Sequence, residues 1–579
     1  MSLKASNCVK SILTHELTAM GPLPTILDPD GVYPYQSYCE TSQRPSVKQY
    51  NFIKLENNYL EVWICQDLGG KVYSLIHKES EKEVLYVPGV IRPSRILPRF
   101  SFVAGGIEVS FPISHTPSQN EKVCYEITRK EERIYVCVGE TELRYGMQWT
   151  VEFSLGEHDE FLTQRTVFFN PTNKPHPWMS WSNAAVPAFE DSEFHFPIGP
   201  VLLHSDELKT IDWESKGPKT NSDINNMSGY FWQNPDVNAF GCYSPYLGIG
   251  LYHVAERKQV PGIKLWSYGT GRDKEWSYLS SLNNQSYLEI QAGPIADQSI
   301  KHQLEPGQTH THLEYWFPSN IRMDIRKITV PKLGLRPLSE VTMFPFARID
   351  DVEVWYELMK SYELHDASII PDPTQIELGC WAPGGLYKLD KPFVWVIEKC
   401  SSNNKSLWQL YYGVWLASGD KISQAISLLH NSTLDLSKAI LARIYFYEEK
   451  YEEAKKCYEA MIDEAFQLHP QIVVDRDKLL EQFGAETFNE RITWLDNLDA
   501  LDDEMIIERR IALLIDMEEF DEARKLLLNF NFQKIHQRYE RKKLWKALCL
   551  KTNTQVEPYP KNLGEDNLAQ FGAYREFVE

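Results

Sequence analysis

Few residues in this chain stand in patterns that could do chemistry. His310 and His312 alternate within Thr309-His-Thr-His-Leu313, so on a strand they share one face, as two metal ligands would. No Cys-x-x-Cys pair or familiar ligand spacing accompanies them, so no metal site and no cofactor is expected. Gly269-Thr-Gly271 lacks the following helix start that a phosphate cradle needs and is expected to be a turn. Trp266 and Trp276 flank that turn, with Lys264 in the same run. Indole faces of this kind stack on sugar rings or fill cores, and the spacing alone fits both. Glu108 and Glu289 lie in apolar, strand-like stretches. A strand glutamate is usually solvated, but two carboxylates facing one substrate can act as acid and as nucleophile or base.

Such residues need rigid elements to hold them. From about Tyr50 to Pro318 the chain consists of short β-rich runs bounded by Gly, Asp, Asn or Pro, such as Tyr59–Ile64, Arg133–Val138, Trp149–Phe153 and Phe161–Phe169. Many alternating runs without helical periodicity between them predict a large antiparallel β-sandwich. Residues 1–49 are expected to form an extended lead-in, and 50–335 the sandwich. Residues 336–404 are expected to be a linker and packing segment with a helix, and 405–579 a helical region.

Three stretches in that last region repeat one pattern. Alanines 425, 454 and 523 are each preceded by twelve positions by Gly413, Ala442 and Ile511, and followed by four positions by Leu429, Tyr458 and Leu527. The alanines are 29 and 69 residues apart, and the longer gap is close to two 34-residue periods with a degenerate unit between. The pattern resembles the tetratricopeptide repeat, whose small residues let paired helices pack closely. The resemblance allows two roles: a brace for the sandwich, or a groove for a protein partner.

Composition narrows the class. The 579 residues carry 60 Lys+Arg against 80 Asp+Glu, a net charge of −20, which disfavours nucleic acid and anionic membranes as partners. No apolar run approaches a membrane span, the start reads as no signal peptide, and the ten cysteines form no framework, so a cytoplasmic protein is expected. Aromatic residues make up 12%, with 16 Trp, which leans modestly toward a sugar ligand.

Motifs sharpen that lean. Tyr287-Leu-Glu-Ile-Gln-Ala-Gly-Pro-Ile-Ala-Asp297, then a Pro-Gly turn and Tyr315-Trp-Phe317, resembles the closing segment of galactose mutarotases. The resemblance implies that Glu289 matches the family's general base at the anomeric hydroxyl. Val103-Ala-Gly-Gly-Ile-Glu-Val-Ser-Phe-Pro112 resembles the signature of hexose-phosphate epimerases in the same superfamily, with Ala104 where the family has arginine and Glu108 where it has proline. A neutral sugar is therefore expected over a phosphorylated one. Asn183 matches the asparagine of the mutarotase His-x-x-x-Asn strand, but Met179 stands at the histidine position, so that proton donor is missing. Across Val32–Pro318 the chain looks most like an uncharacterised bacterial group of mutarotase-like domains fused to tetratricopeptide repeats. The match includes Leu68-Gly-Gly-Lys71, Gly105–Glu108, His115, Lys264, Trp266, Trp276, Glu289 and Asp297.

These readings predict a sugar or oligosaccharide site on the concave face of the sandwich. Glu289, Glu108 and His115 are expected to be catalytic, and Lys264, Trp266, Trp276, Asn183 and Asp297 to bind substrate. The expected activity is glycoside hydrolysis by paired carboxylates. Alternatives are an aldose epimerase with Glu289 as base, and a non-catalytic sugar sensor whose repeats bind a protein.

Overall fold

A computed structural model describes residues 3–563 except 20, 27–32, 37, 43, 95–101, 114, 206–207, 234, 272–273, 275–276, 278–280, 297–299, 378, 463–464, 466–469, 499–502, 533–537, 553–554 and 561–562. The chain forms two compact units. The first comprises residues 1–16, 44–96 and 100–348; the second comprises 17–43, 97–99 and 349–579.

The first unit is the expected sandwich. Its larger sheet has 13 strands, running from Leu208–Asp212 through Pro200–His204, Ser228–Trp232, Gly262–Ser267, Tyr287–Gly293, Ser182–Pro187, Ile107–Val109, Lys71–His77, Leu60–Cys65, Ser46–Glu56 and Lys4–Thr14 to Val90–Ile91, with Lys82–Glu83 paired to Lys71–His77. Only Lys4–Thr14 with Val90–Ile91 is a parallel pair among these. The smaller sheet has 8 strands: Cys124–Lys130, Arg133–Thr141, Gln148–Gly156, Leu162–Phe169, Thr309–Ser319, Ile249–Val254, Ala239–Ser244 and Glu193–His195. Alternation decides what each strand buries. Val62, Val72, Ile107, Ala184, Leu265 and Ile290 of the larger sheet meet Val136, Trp149, Phe153, Phe168, Leu251 and Trp316 of the smaller in one core.

Glu314 is a charge buried within that core. Glu314 accepts hydrogen bonds from Gln164 Nε2 and Ser182 Oγ, each at 2.7 Å, and lies 3.0 Å from His253 Nε2 and 3.3 Å from His312 Nε2. Gln164 and Glu314 belong to the smaller sheet and Ser182 to the larger, so the carboxylate ties the two together. Glu314 continues the two-residue period of His310 and His312, a partnership that sequence reasoning missed. His312 is engaged by Glu314, whereas His310 lies against Trp178 and Phe168.

The unit boundaries depart from expectation in two places. Lys4–Thr14 is no lead-in but a strand paired residue for residue with Ser46–Glu56. Few of its residues are fully buried, and so it carries little of the alternation that marks a buried strand. Residues 336–348 belong to the sandwich. Arg336 Nε binds Glu152 Oε2 at 2.5 Å, beside the Arg165–Glu152 pair, and Val341 and Phe344 pack with Cys137 and Val167.

The second unit holds the paired helices. Ser402–Ser418 pairs with Ile422–His430, Asp435–Tyr447 with Tyr451–Glu459, and Glu504–Asp516 with Phe520–Asn529, while Pro470–Glu481 and Phe488–Asn497 occupy the degenerate interval. The small residues do what the repeat pattern requires: a Cβ on Gly413 would sit 2.6 Å from Leu429, and Ala425, Ala442, Ala454 and Ala523 are fully buried. Asp477 is buried as well, bridging Arg491 (2.8 Å) and Arg509 (2.6 Å) from two following helices.

Each unit's buried charge makes its stability testable. Asp477→Ala removes the close carboxylate partner of the buried Arg491, leaving it Glu481 at 3.8 Å, and should destabilise the helical unit by about 3–5 kcal/mol, read as an earlier helical transition in urea. In the sandwich, burial lowers His253 from 6.5 to about 4. Burial alone would raise Glu314, but hydrogen bonds from His253 and His312 outweigh it and hold the carboxyl at about 2. Both groups bind protons less readily folded than unfolded, so their contribution is present above pH 6.5 and is lost as pH falls. Urea titrations should show roughly 3 kcal/mol lost on going from neutral pH to about pH 4. Replacing His253 with Gln should flatten the upper part of that slope.

Candidate functional site

The outer face of the 13-stranded sheet carries a polar row. Glu108 pairs with Asn183, Asn183 with Gln291, Gln291 with Lys264, and Lys264 with Phe231. Val72 pairs with Ile107, which brings Lys71 alongside Glu108 at the end of the row. One step along, Glu289 pairs with Ala185 and Trp266, and Trp266 with Gly229. Since side chains alternate, Glu108, Asn183, Gln291, Glu289, Lys264, Trp266 and Lys71 share this face, while Ile107, Ala184, Ile290 and Leu265 enter the core.

Glycines allow the strands this close. Gly105 and Gly106 have φ of +90° and +72°, and a Cβ on Gly106 would fall 2.2 Å from Val72 O. The paired glycines thus serve the approach of strand Ile107–Val109 to strand Lys71–His77. At Gly229 a Cβ would meet the Trp266 ring at 2.8 Å, so the glycine makes room for the indole.

His115 reaches the row from the turn after strand Ile107–Val109. Thr116 Oγ1 donates to Val109 O (3.0 Å) and accepts from Phe111 N–H (2.9 Å), folding the turn back. His115 itself has φ of +58°, a strained conformation for a non-glycine residue, and its Nδ1 lies 3.1 Å from Glu108 Oε2. Phe102 packs edge-on against the imidazole.

The two carboxyls are pushed in opposite directions. Burial opposes ionisation of Glu108, but His115 and Lys71 outweigh it and hold its pKa below the usual carboxylate value. Burial raises Glu289 above it, against the pull of His115 and Lys264 and with the Glu108 charge adding to the rise. Gln291 Nε2 donates to Glu289 Oε2 at 2.6 Å. Glu108 Oε1 and Asn183 Oδ1 are buried acceptors without a hydrogen bond among the described residues. Lys264 Nζ stands over the rings of Phe231 (4.7 Å) and Trp266 (4.9 Å).

Glu108, His115, Asn183, Lys264, Trp266 and Glu289 are therefore brought to one face, whereas Trp276 and Asp297 lie outside the described residues. Met179 packs in the core, and His176 pairs with Thr172 and stacks on Tyr145, so neither supplies a proton at this face. Sequence reasoning missed Lys71 as a site residue. It is buried, donates from Nζ to Val103 O at 2.6 Å, and is lowered to about 8 by burial against the opposing pull of Glu108 and Glu289. The available signal was a lysine directly after the paired glycines of Leu68-Gly-Gly-Lys71.

Comparison with known proteins places the whole chain. A family profile described as a domain of unknown function (DUF5107) matches residues 27–319, and one described as a C-terminal domain matches 355–548. The crystal structure of a TPR-domain containing protein from Parabacteroides distasonis is 49% identical over 99% of both chains, with a TM-score of 0.93. Galactose mutarotase-like proteins from Clostridium acetobutylicum and Lactobacillus casei are each 12% identical, with TM-scores of 0.36 and 0.34. They match 47% and 46% of this chain, and 96% and 100% of their own. On the family match and the full-length relative together, the chain belongs to the DUF5107 family.

Proposed function

We propose that the outer face of the larger sheet binds a neutral sugar or oligosaccharide and acts at its anomeric centre as a glycoside hydrolase. Glu289 is the acid and Glu108 the base. The observation that carries this reading is the opposed shift of two buried carboxyls on one face: Glu289 holds its proton to a higher pH than an ordinary glutamate, and Glu108 releases its own at a lower one. Glycosidic cleavage needs that division, one group protonating the leaving oxygen while the other activates water. The acceptors Glu108 Oε1 and Asn183 Oδ1 suit ligand hydroxyls, and Trp266 offers a ring face. Ala104 is buried where the related signature has arginine, which favours an unphosphorylated sugar.

Strand geometry also bears on the stereochemistry. Glu108 and Glu289 are separated by one intervening strand and a two-residue offset, about 12 Å between Cα atoms from the usual spacing and rise. Side chains leaning together from that distance reach the roughly 6.5–9.5 Å of an inverting pair more readily than the 5–5.5 Å of a retaining one. An aldose epimerase remains the second reading, because His115 beside Glu108 could supply an acid without Met179.

Two measurements test the assignment. Against a glycoside panel read by released reducing sugar, Glu289→Gln should lower kcat by on the order of 10²–10⁴ while calorimetry still shows sugar binding. Glu108→Gln should cause a comparable loss for a hydrolase and a much smaller one for an epimerase. For the wild type, kcat/KM should be bell-shaped in pH. Its acid limb belongs to Glu108, below the ordinary glutamate value, and its alkaline limb to Glu289, above it. Glu289→Gln at the wild-type rate, or a retained anomeric configuration seen by NMR, would sink this division of roles between the two glutamates.

A further inference from the structure

Residues 17–43 fold with the helical unit, although the strands on either side of them belong to the sandwich. Leu17–Ala19 and Tyr38–Thr41 pair with each other, and within the loop they close, Gly21–Thr25 runs without regular secondary structure. Pro22, Leu23, Pro24 and Thr25 are nonetheless buried. Their backbone is read by side chains from two helices. Gln471 Oε1, on Pro470–Glu481, accepts the Leu23 N–H at 3.2 Å. Arg443, on Asp435–Tyr447, donates from Nη1 to Pro24 O at 3.2 Å.

Three features separate this from incidental packing. Arg443 is preset by Asp475, which takes Nε at 2.9 Å and Nη2 at 2.8 Å and leaves Nη1 directed at the carbonyl. Proline has no N–H, so Leu23 carries the only backbone donor across residues 22–24, and that donor is the one Gln471 meets. Gly21 fits the contact: its φ of +139° is one that side-chain-bearing residues rarely adopt, and a Cβ there would sit 2.9 Å from Gln471 Oε1 and displace that amide. Prolines on either side of a leucine hold the segment extended before it binds, so little ordering entropy is lost.

We propose that helices Asp435–Tyr447 and Pro470–Glu481 form a recognition site for an extended Gly-Pro-Leu-Pro peptide, and that Gly21–Thr25 of the same chain is its resident ligand. Backbone hydrogen bonds from Gln471 and Arg443 set the register, a buried leucine gives specificity, and the short tether keeps the site filled. A partner segment of the same chemistry binds only by displacing the resident one, so the repeats are closed to other peptides at rest. The site is independent of the sandwich chemistry.

The test uses the full chain and a fluorescein-labelled peptide of residues 19–28, followed by anisotropy. Wild type should show no saturable binding at about 100 µM peptide, because the tethered copy competes at an effective concentration on the order of millimolar. Leu23→Asp should release the resident segment and create saturable binding of the wild-type peptide, but not of a peptide carrying the same substitution. Adding Gln471→Leu to that chain should weaken binding at least tenfold. Should Leu23→Asp fail to fold by circular dichroism, the milder Leu23→Ala carries the same comparison. Three results would each overturn the proposal: a folded, released chain that does not bind the peptide at 1 mM, binding indifferent to Gln471→Leu, or wild type binding as tightly as the released variant.

Discussion

Glu314 is the constraint through which the sandwich positions its outer face. A carboxylate inside a two-sheet core survives only where donors surround it, and here Gln164 and the histidines come from its own sheet while Ser182 comes from the other. If Ser182 points inward to reach Glu314, Asn183 must point outward, because neighbouring strand residues alternate. Asn183 is paired with both Glu108 and Gln291, so the same parity passes to their strands. A slip of one residue would carry the Glu108–Asn183–Gln291 row into the core and Ile107, Ala184 and Ile290 out of it. The core charge and the surface chemistry are thus two faces of one register.

On the outer face the same physics runs with fewer donors. Two carboxyls, two lysines and a histidine are gathered where water is largely excluded, and such a cluster cannot hold every group in its preferred charge state. Glu108 has His115 and Lys71 beside it and keeps its charge. Glu289 has the Gln291 amide as a direct donor and the Glu108 charge nearby, so burial prevails. The left-handed backbone at His115 belongs to this arrangement, since the imidazole returns over Glu108 only through that turn. Strain and unmet acceptors gathered at one place are what a site keeps and a structural surface relieves.

What could be read from the sequence follows from which signals are local. Strands such as Arg133–Thr141 and Gln148–Gly156 bury most of their residues between bounded turns, and the repeat alanines recur with their partners, so both halves of the fold were legible. Glu289 and Glu108 were found because each sits in a compact motif. Lys71 was not, because its role depends on a cross-strand neighbour distant in sequence, and no single strand shows that. Strand Lys4–Thr14 was missed for the opposite reason: it lies near the sheet edge and is held by its ladder to Ser46–Glu56, so its side chains carry little pattern. Glu314 was hidden in plain alternation, where a buried acid and an exposed one look alike.

The connection between those two strands obeys a different economy. Lys4–Thr14 and Ser46–Glu56 pair like the arms of a hairpin, yet the chain between Thr14 and Ser46 is far longer than the two to five residues a hairpin needs. Lengthening a loop costs little in closure entropy, but ordering it costs about 1–2 kcal/mol per residue unless burial offsets it. Here the burial is supplied in the helical unit: Tyr33 donates to Ala382 O at 2.6 Å, Leu23 and Pro24 are bound through their backbones, and Tyr35 is buried too. A loop that served only to join two strands would gain nothing from a left-handed glycine against Gln471 or from prolines on both sides of one leucine. Those choices make sense for a segment selected to be held.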